Sequence, residues 1–217
     1  MNTQNRQTRP NNVGELQSDD AGLGQKREGL RRSMNWMSLG HTFENFKMMP
    51  GTEAAFQAFK ELAENENPKP FLLCVGRAGN GKTYLCDALS IALYKRGIRC
   101  AITIWPEFVR SLKKAMRQSG QSQGPSYDDL FEKVQRKPYL IVDDVGLGTV
   151  GSEWEWGELE DIISYRYRER LMTVLTSNLD ITGLPERIVS RFSDSDIGVI
   201  VVNKGRDYRL LKSRGKT

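Results

Sequence analysis

Eight consecutive residues, Gly76-Arg77-Ala78-Gly79-Asn80-Gly81-Lys82-Thr83, carry the most specific chemistry in the chain. Glycines at the first, fourth and sixth places allow a backbone to curl until its N–H groups face one point. A lysine and a hydroxyl then close the run. This is how a chain cradles the oxygens of a polyphosphate, with Lys82 neutralising charge and Thr83 offering oxygen to a hard divalent cation. The reading assigns nucleotide binding to Gly76, Arg77, Ala78, Gly79, Asn80, Gly81, Lys82, Thr83 and the next residue, Tyr84. ATP with Mg²⁺ is the expected cofactor pair.

A second set of residues suits hydrolysis. Tyr139-Leu140-Ile141-Val142 is an apolar run followed by Asp143 and Asp144, the form in which a strand delivers one acid to a magnesium ion and a second to the attacking water. Asp143 joins Thr83 as the metal-holding pair, and Asp144 is the candidate base. Thr173-Val174-Leu175-Thr176-Ser177 ends in Asn178, whose amide can orient that water at the carboxyl edge of a sheet. An asparagine closing a strand is otherwise an ordinary turn residue. Arg187 and Arg191 lie four apart, hence on one helical face, where Arg191 can be offered to a phosphate held by a second copy; a surface ion pair is the plainer alternative. Lys82, Asp144, Asn178 and Arg191 form the catalytic candidates.

These groups need a scaffold that gathers strand ends. A helical pattern from Thr52 to Asn65, stopped by Pro68 and Pro70, leads into five short apolar runs: Phe71–Val75, Cys100–Trp105, Tyr139–Val142, Thr173–Thr176 and Ile197–Val202. Helical patterns separate the runs, which is the mark of an α/β fold with a parallel sheet covered on both faces. At 217 residues the chain suits one domain with short extensions.

Composition narrows the partners. The formal charge is +5, and Asn203 to Thr217 alone holds six Lys or Arg against one Asp. Arg110, Lys113, Lys114 and Arg117 make a basic stripe opposite the apolar Phe108, Val109, Leu112 and Met116. Such a rod suits a nucleic-acid backbone, and a solvated helix face is the alternative. Cys74, Cys86 and Cys100 lack metal-site spacing and read as reduced core thiols. No run is long and apolar enough for a membrane span, and the polar N-terminus lacks a signal-peptide core, so a cytoplasmic location with no membrane contact is expected. Residues 1 to 40 are too polar to bury a core and read as an arm that can fold onto a partner. Ser119 to Ser126 reads as a flexible loop.

These motifs in this order, with Thr42-Phe43-Glu44-Asn45-Phe46 ahead of the loop, Arg166-Tyr167 before the Thr176-Ser177-Asn178 strand end and Tyr208-Arg209 near the terminus, resemble the AAA+ helicase loaders of the DnaC type and their relatives, the IstB-type transposition ATPases. The resemblance implies a five-stranded AAA+ P-loop NTPase core with the loop's strand central and the helical lid truncated or absent. It also implies self-assembly through Arg191 and single-stranded DNA contacts from Arg110, Lys113, Lys114 and Arg117. Residues 41–211 match the ATPase domain, residues 1–40 correspond to a shortened helicase-binding arm, and 212–217 form a basic tail. The leading expectation is an ATPase that loads the replicative helicase onto single-stranded DNA. A transposition helper on duplex DNA, a small-molecule kinase and a binding module switched by ATP without turnover are the alternatives.

Overall fold

The computed structural model describes residues 40–118, 124–146 and 152–209. Within them run α1 (Glu53–Glu64), β1 (Phe71–Val75), α2 (Lys82–Lys95), β2 (Ala101–Ile104), α3 (Trp105–Arg117), α4 (Tyr127–Gln135), β3 (Tyr139–Val145), α5 (Glu153–Arg168), β4 (Met172–Ser177), α6 (Glu186–Phe192) and β5 (Gly198–Val202). The arm before Gly40, residues 119–123 of the Ser-Gly-Gln loop and the 212–217 tail lie outside the described residues. Helical geometry is described at Tyr208 and Arg209, and the expectation of a truncated lid falls outside the described residues.

The sheet is fully parallel in the order β2-β3-β4-β1-β5. This corrects one expectation: β4 is central, and the strand that feeds the phosphate loop lies between β4 and β5. Its neighbours keep β1 interior on both sides, and all five of its residues are buried.

Alternation along the strands divides the core. Phe71, Leu73, Val75, Leu140, Val142 and Leu175 face α3 to α6, meeting Trp105, Leu112, Ile163 and Phe192. Leu72, Cys74, Ile141 and Val174 face α1 and α2, meeting Phe59, Leu62, Leu85 and Leu89. Burying both faces of every interior strand explains why the apolar runs are continuous and not alternating.

Local chemistry sets the boundaries. Trp105 and Pro106 open α3, where proline is tolerated because first-turn N–H groups have no helical partner, so the second strand ends at Ile104 and not at Trp105 as the run suggested. Ser126 and Asp129 make a reciprocal capping box at the start of α4. Arg166, fully buried at the end of α5, donates to Thr173 Oγ1 (2.9 Å) and to the carbonyls of Gln135 (2.9 Å), Lys137 (2.6 Å) and Met172 (2.5 Å). One guanidinium thereby ties α4, β3 and β4 together at the sheet's amino edge, while the phosphate loop lies at the carboxyl edge.

Candidate functional site

The glycine loop leaves β1 at Val75 and ends in α2. Gly76, Gly79 and Gly81 have φ of 149°, 76° and 94°, a region that disfavours side chains. Their surroundings exclude one too: a Cβ on Gly76 would fall on the Asn203 carbonyl, one on Gly79 on the Asp207 carboxylate, and one on Gly81 would sit 3.0 Å from the Phe46 ring. The curl is therefore built into both conformation and packing.

Lys82 is 5% exposed, and its ammonium lies inside this curl. It donates to Gly76 O (2.6 Å), Arg77 O (2.9 Å), Asn80 Oδ1 (3.2 Å) and Asn178 Oδ1 (2.8 Å). All four acceptors are neutral. Burial pushes the ammonium below its ordinary value, with Cys74, Asp143 and Asp144 acting in the opposite direction. A buried cation held only by dipoles is poised to exchange them for an anion.

Thr83 Oγ1 donates to Asp143 Oδ2 at 2.9 Å, and Thr176 donates to Asp143 Oδ1. A hydroxyl and a carboxylate side by side are hard oxygen donors that suit Mg²⁺. The buried Cys86 thiol approaches the same carboxylate, 3.7 Å from Oδ1.

The structure carries β3 through both acids to Val145, one residue past the strand end that the two acids suggested. In a regular strand, neighbouring residues point to opposite faces. Here Asp144 takes φ of 68°, and the pairing of β3 with β4 shifts register between Val142 and Val145. This bulge leaves Asp143 on Thr83 and turns Asp144 toward the end of β4, where Asn178 Nδ2 donates to its Oδ1 at 2.6 Å. The Asp144 N–H is held by Thr176 Oγ1 at 3.1 Å. Burial raises the Asp144 carboxyl above the usual range, followed by repulsion from Asp143; Asn178, Lys82 and Arg209 oppose the shift. Lys82, Asn178 and Asp144 thus form one hydrogen-bonded chain.

Other sequence candidates sit differently. Arg77 and Ala78 are exposed, and Arg77 contributes its carbonyl to Lys82. The Tyr84 ring stacks on His41 (4.1 Å) and meets the edge of Phe46 (5.4 Å). Phe43 and Phe46 also pack on Phe56, which clamps the lead-in segment to α1 and α2. Arg187 is 3.7 Å from Glu160, and Arg191 Nη1 donates to the Arg187 carbonyl at 2.5 Å. Among the described residues no hydrogen bond or ion pair joins either arginine to the loop. On α3 the basic stripe is not uniform. Lys113 is bonded to Glu155 (2.6 Å) and lies over the Trp154 ring (5.5 Å), whereas Arg110, Lys114 and Arg117 are exposed. The three cysteines are free, and among the described residues no His, Cys, Asp and Glu group could hold a metal by itself. No helix among them is long and apolar enough to cross a membrane.

Sequence reasoning missed two groups beside the loop. His41 Nδ1 lies 2.7 Å from Asp87 Oδ2, and burial raises the Asp87 carboxyl while His41 lowers it. The only signal was a carboxylate within the apolar run of α2. Asn203 and Asp207, which contact the loop from beyond β5, gave no signal because the partners are far apart in sequence.

Comparison with known proteins adds relatives to this geometry. The profile of the family described as IstB-like ATP binding protein matches residues 23–193. The chain is 28% identical over 180 residues to the replicative helicase loader DnaI of Bacillus subtilis (strain 168), covering 80% of this chain but 54% of that protein. It is 21% identical over 182 residues to the replicative helicase loader DnaC of Escherichia coli (strain K12), covering 82% of this chain and 72% of that one. Among solved structures, a DnaC helicase loader aligns with a TM-score of 0.63 at 24% identity, covering 76% of this chain and 98% of that chain. A replication initiator DnaA bound to AMPPCP and single-stranded DNA aligns with a TM-score of 0.65 at 24% identity, covering 83% and 56%. These likenesses carry the fold, which is that of AAA+ ATPase domains.

Proposed function

Because the chain belongs to the IstB-like ATP binding protein family, we propose that its ATP-binding core serves DNA replication by loading the replicative helicase onto single-stranded DNA in the cytoplasm. The observation that carries this reading is the convergence of Lys82, Thr83, Asp143, Asp144 and Asn178 through direct hydrogen bonds at one sheet edge. The helicase loaders among the relatives supply the biological direction. The chain spans about half the length of the DnaI relative, so the partner and the loading activity are part of the proposal.

Hydrolysis of ATP bound with Mg²⁺ supplies the change of charge that drives the cycle. Lys82 exchanges its four neutral acceptors for phosphate oxygens. Thr83 and Asp143 would hold Mg²⁺, which would neutralise phosphate charge. That exchange frees Asn178 Oδ1, so the asparagine can orient water while Asp144 accepts its proton. Arg191 gives up the Arg187 carbonyl and reaches a phosphate held by an adjacent copy, where a cation stabilises charge that grows in the transition state. Arg110, Lys114 and Arg117 face the DNA backbone, with Lys113 held back by Glu155. Residues 41–211 perform these steps, and residues 1–40 contact the helicase.

The test measures ATP hydrolysis and assembly size for the wild type and Arg191→Ala, with and without single-stranded DNA, and then loading of the cognate helicase. The expected result is turnover that DNA stimulates and that Arg191→Ala abolishes while nucleotide affinity survives. Equal turnover by monomers of both proteins would remove the shared site. Failure to promote helicase loading with intact turnover would remove the loader assignment alone.

A further inference from the structure

The phosphate loop is held from outside by the segment that leaves β5. Asn80 and Asn203 are 1% and 2% exposed and 123 residues apart. Asn80 Nδ2 donates to the Asn203 carbonyl at 2.9 Å, and Asn203 Nδ2 donates to the Asn80 carbonyl at 3.1 Å. The remaining amide oxygens are also used. Asn203 Oδ1 accepts from the Gly205 N–H at 3.0 Å, and Asn80 Oδ1 accepts from Lys82 Nζ at 3.2 Å. The Asn203 N–H extends the sheet by bonding to Val75 O at 2.8 Å.

This arrangement fixes more than position. The Asn80 amide has one oxygen and one NH₂ face, and because NH₂ is used by Asn203, oxygen must face the lysine. The reverse orientation would set an amide donor against an ammonium. Farther along, the Tyr208 N–H donates to Gly79 O at 3.0 Å, and the Asp207 carboxylate packs on Gly79 while its Oδ1 accepts the Arg209 N–H at 2.8 Å. The segment Asn203–Tyr208 therefore touches Gly76, Gly79 and Asn80 of the loop.

We infer that Asn203 is a positioning residue for the nucleotide: with Asn80 it forms a reciprocal amide clasp that sets the shape of the phosphate loop and the direction of Lys82. The clasp also ties the segment Asn203–Tyr208 to that loop, so local opening of this segment lowers nucleotide affinity, and nucleotide resists that opening by the same factor. The inference rests on the nucleotide-binding reading of the loop and extends it to residues outside the motif.

The experiment is a double-mutant cycle on the full chain with Asn203→Ala, Asn80→Ala and the pair, titrated with a fluorescent ATP analogue and with ADP. Removing one bond of a coupled buried network weakens binding about tenfold, and the pair is expected to lose little beyond either single change because both break one unit. Hydrogen exchange of nucleotide-free Asn203→Ala should speed at the amides of Gly76–Thr83 and Gly205–Tyr208, with β3 and α5 unchanged. A merely structural asparagine would lower the unfolding midpoint without that local pattern. Should the buried substitutions fail to fold, Tyr208→Pro removes the N–H to Gly79 at the first position of a helix, where proline is tolerated, and should weaken binding severalfold. A folded Asn203→Ala or Tyr208→Pro protein with affinity within twofold of wild type overturns the inference. A wild type that binds neither nucleotide overturns the loop reading and the clasp with it, so the two failures are told apart by the first titration.

Discussion

Arg166 offers a test of what holds the scaffold together away from the nucleotide. Its guanidinium is fully buried and faces four oxygen acceptors and, among the described residues, no carboxylate. Burial lowers its pKa to about 10, which leaves it charged at neutral pH. Arg166→Met preserves much of the volume and removes every donor. The Thr173 hydroxyl keeps a partner in the Leu171 carbonyl (2.8 Å) and Met172 stays in the β3–β4 ladder, but the Gln135 and Lys137 carbonyls lose their side-chain donor. The lost charge-assisted hydrogen bonds cost about 1–3 kcal/mol each, less at the half-buried Gln135 and Lys137 carbonyls that water can reach, and are set against the relief of no longer burying a cation, so a net loss of about 3–5 kcal/mol is expected. With a urea slope of about 2 kcal/mol per M, the midpoint falls by about 2 M. Arg166→Lys keeps the charge but loses the planar fork, and should fall between. Because Arg166 sits at the amino edge of the sheet, nucleotide affinity of the folded variant should stay within about twofold. Two results would refute this reasoning: a midpoint within about 0.3 M of wild type, or a nucleotide affinity lost before stability is.

The remaining predictions concern the loop, the basic helix and Asp87. Gly79→Ala should weaken nucleotide binding, since φ is 76° and the new methyl group must displace the Asp207 carboxylate; Gly97→Ala, at φ 79° with open space around it, should lose only about 1–2 kcal/mol of stability and no affinity, as read by melting and titration. Charge reversal at Lys114 or Arg117 should reduce the salt slope of single-stranded DNA binding by about 0.7 each. Lys113→Glu should cost less DNA affinity and more stability, because Lys113 is already committed to Glu155 and Trp154; equal effects at all three positions would contradict the observed geometry. Burial raises the Asp87 carboxyl, so the folded state takes up its proton at higher pH than the unfolded chain does. Stability from this group is therefore gained as pH falls through the range just above the ordinary aspartate value, and lost as pH rises through it. Relative to Asp87→Asn, the wild type should gain in urea stability as pH falls toward the ordinary aspartate range, and an unchanged difference would count against a raised carboxyl.

The parts of this protein that sequence disclosed are those whose chemistry is local. A phosphate cradle needs its glycines, lysine and hydroxyl within one turn of chain, and a parallel sheet needs continuous apolar runs, so Gly76–Thr83, the five strands and the polar strand ends at Asp143 and Asn178 could be found by spacing. What stayed hidden depends on which strands become neighbours. Chain order does not reveal that β4 lies between β3 and β1, and it is this order that sets Asn178 beside Asp144 and produces the bulge at Val142 to Val145. Two adjacent acids read as a strand end, yet a strand end alone would not direct them to Thr83 and Asn178 respectively. The left-handed turn at Asp144 does so, and it holds because Thr176 on the neighbouring strand accepts the Asp144 N–H while donating to Asp143. The same reasoning explains Arg166, which the sequence marks only as half of the Arg166-Tyr167 pair and gives no partner until β4 folds beside it and Thr173 supplies an acceptor. In both cases a β4 threonine completes a polar arrangement that the neighbouring segment cannot form alone. The central strand is thus where the chemistry of the carboxyl edge and the integrity of the amino edge meet, and substitutions at Thr173 and Thr176 should separate the two.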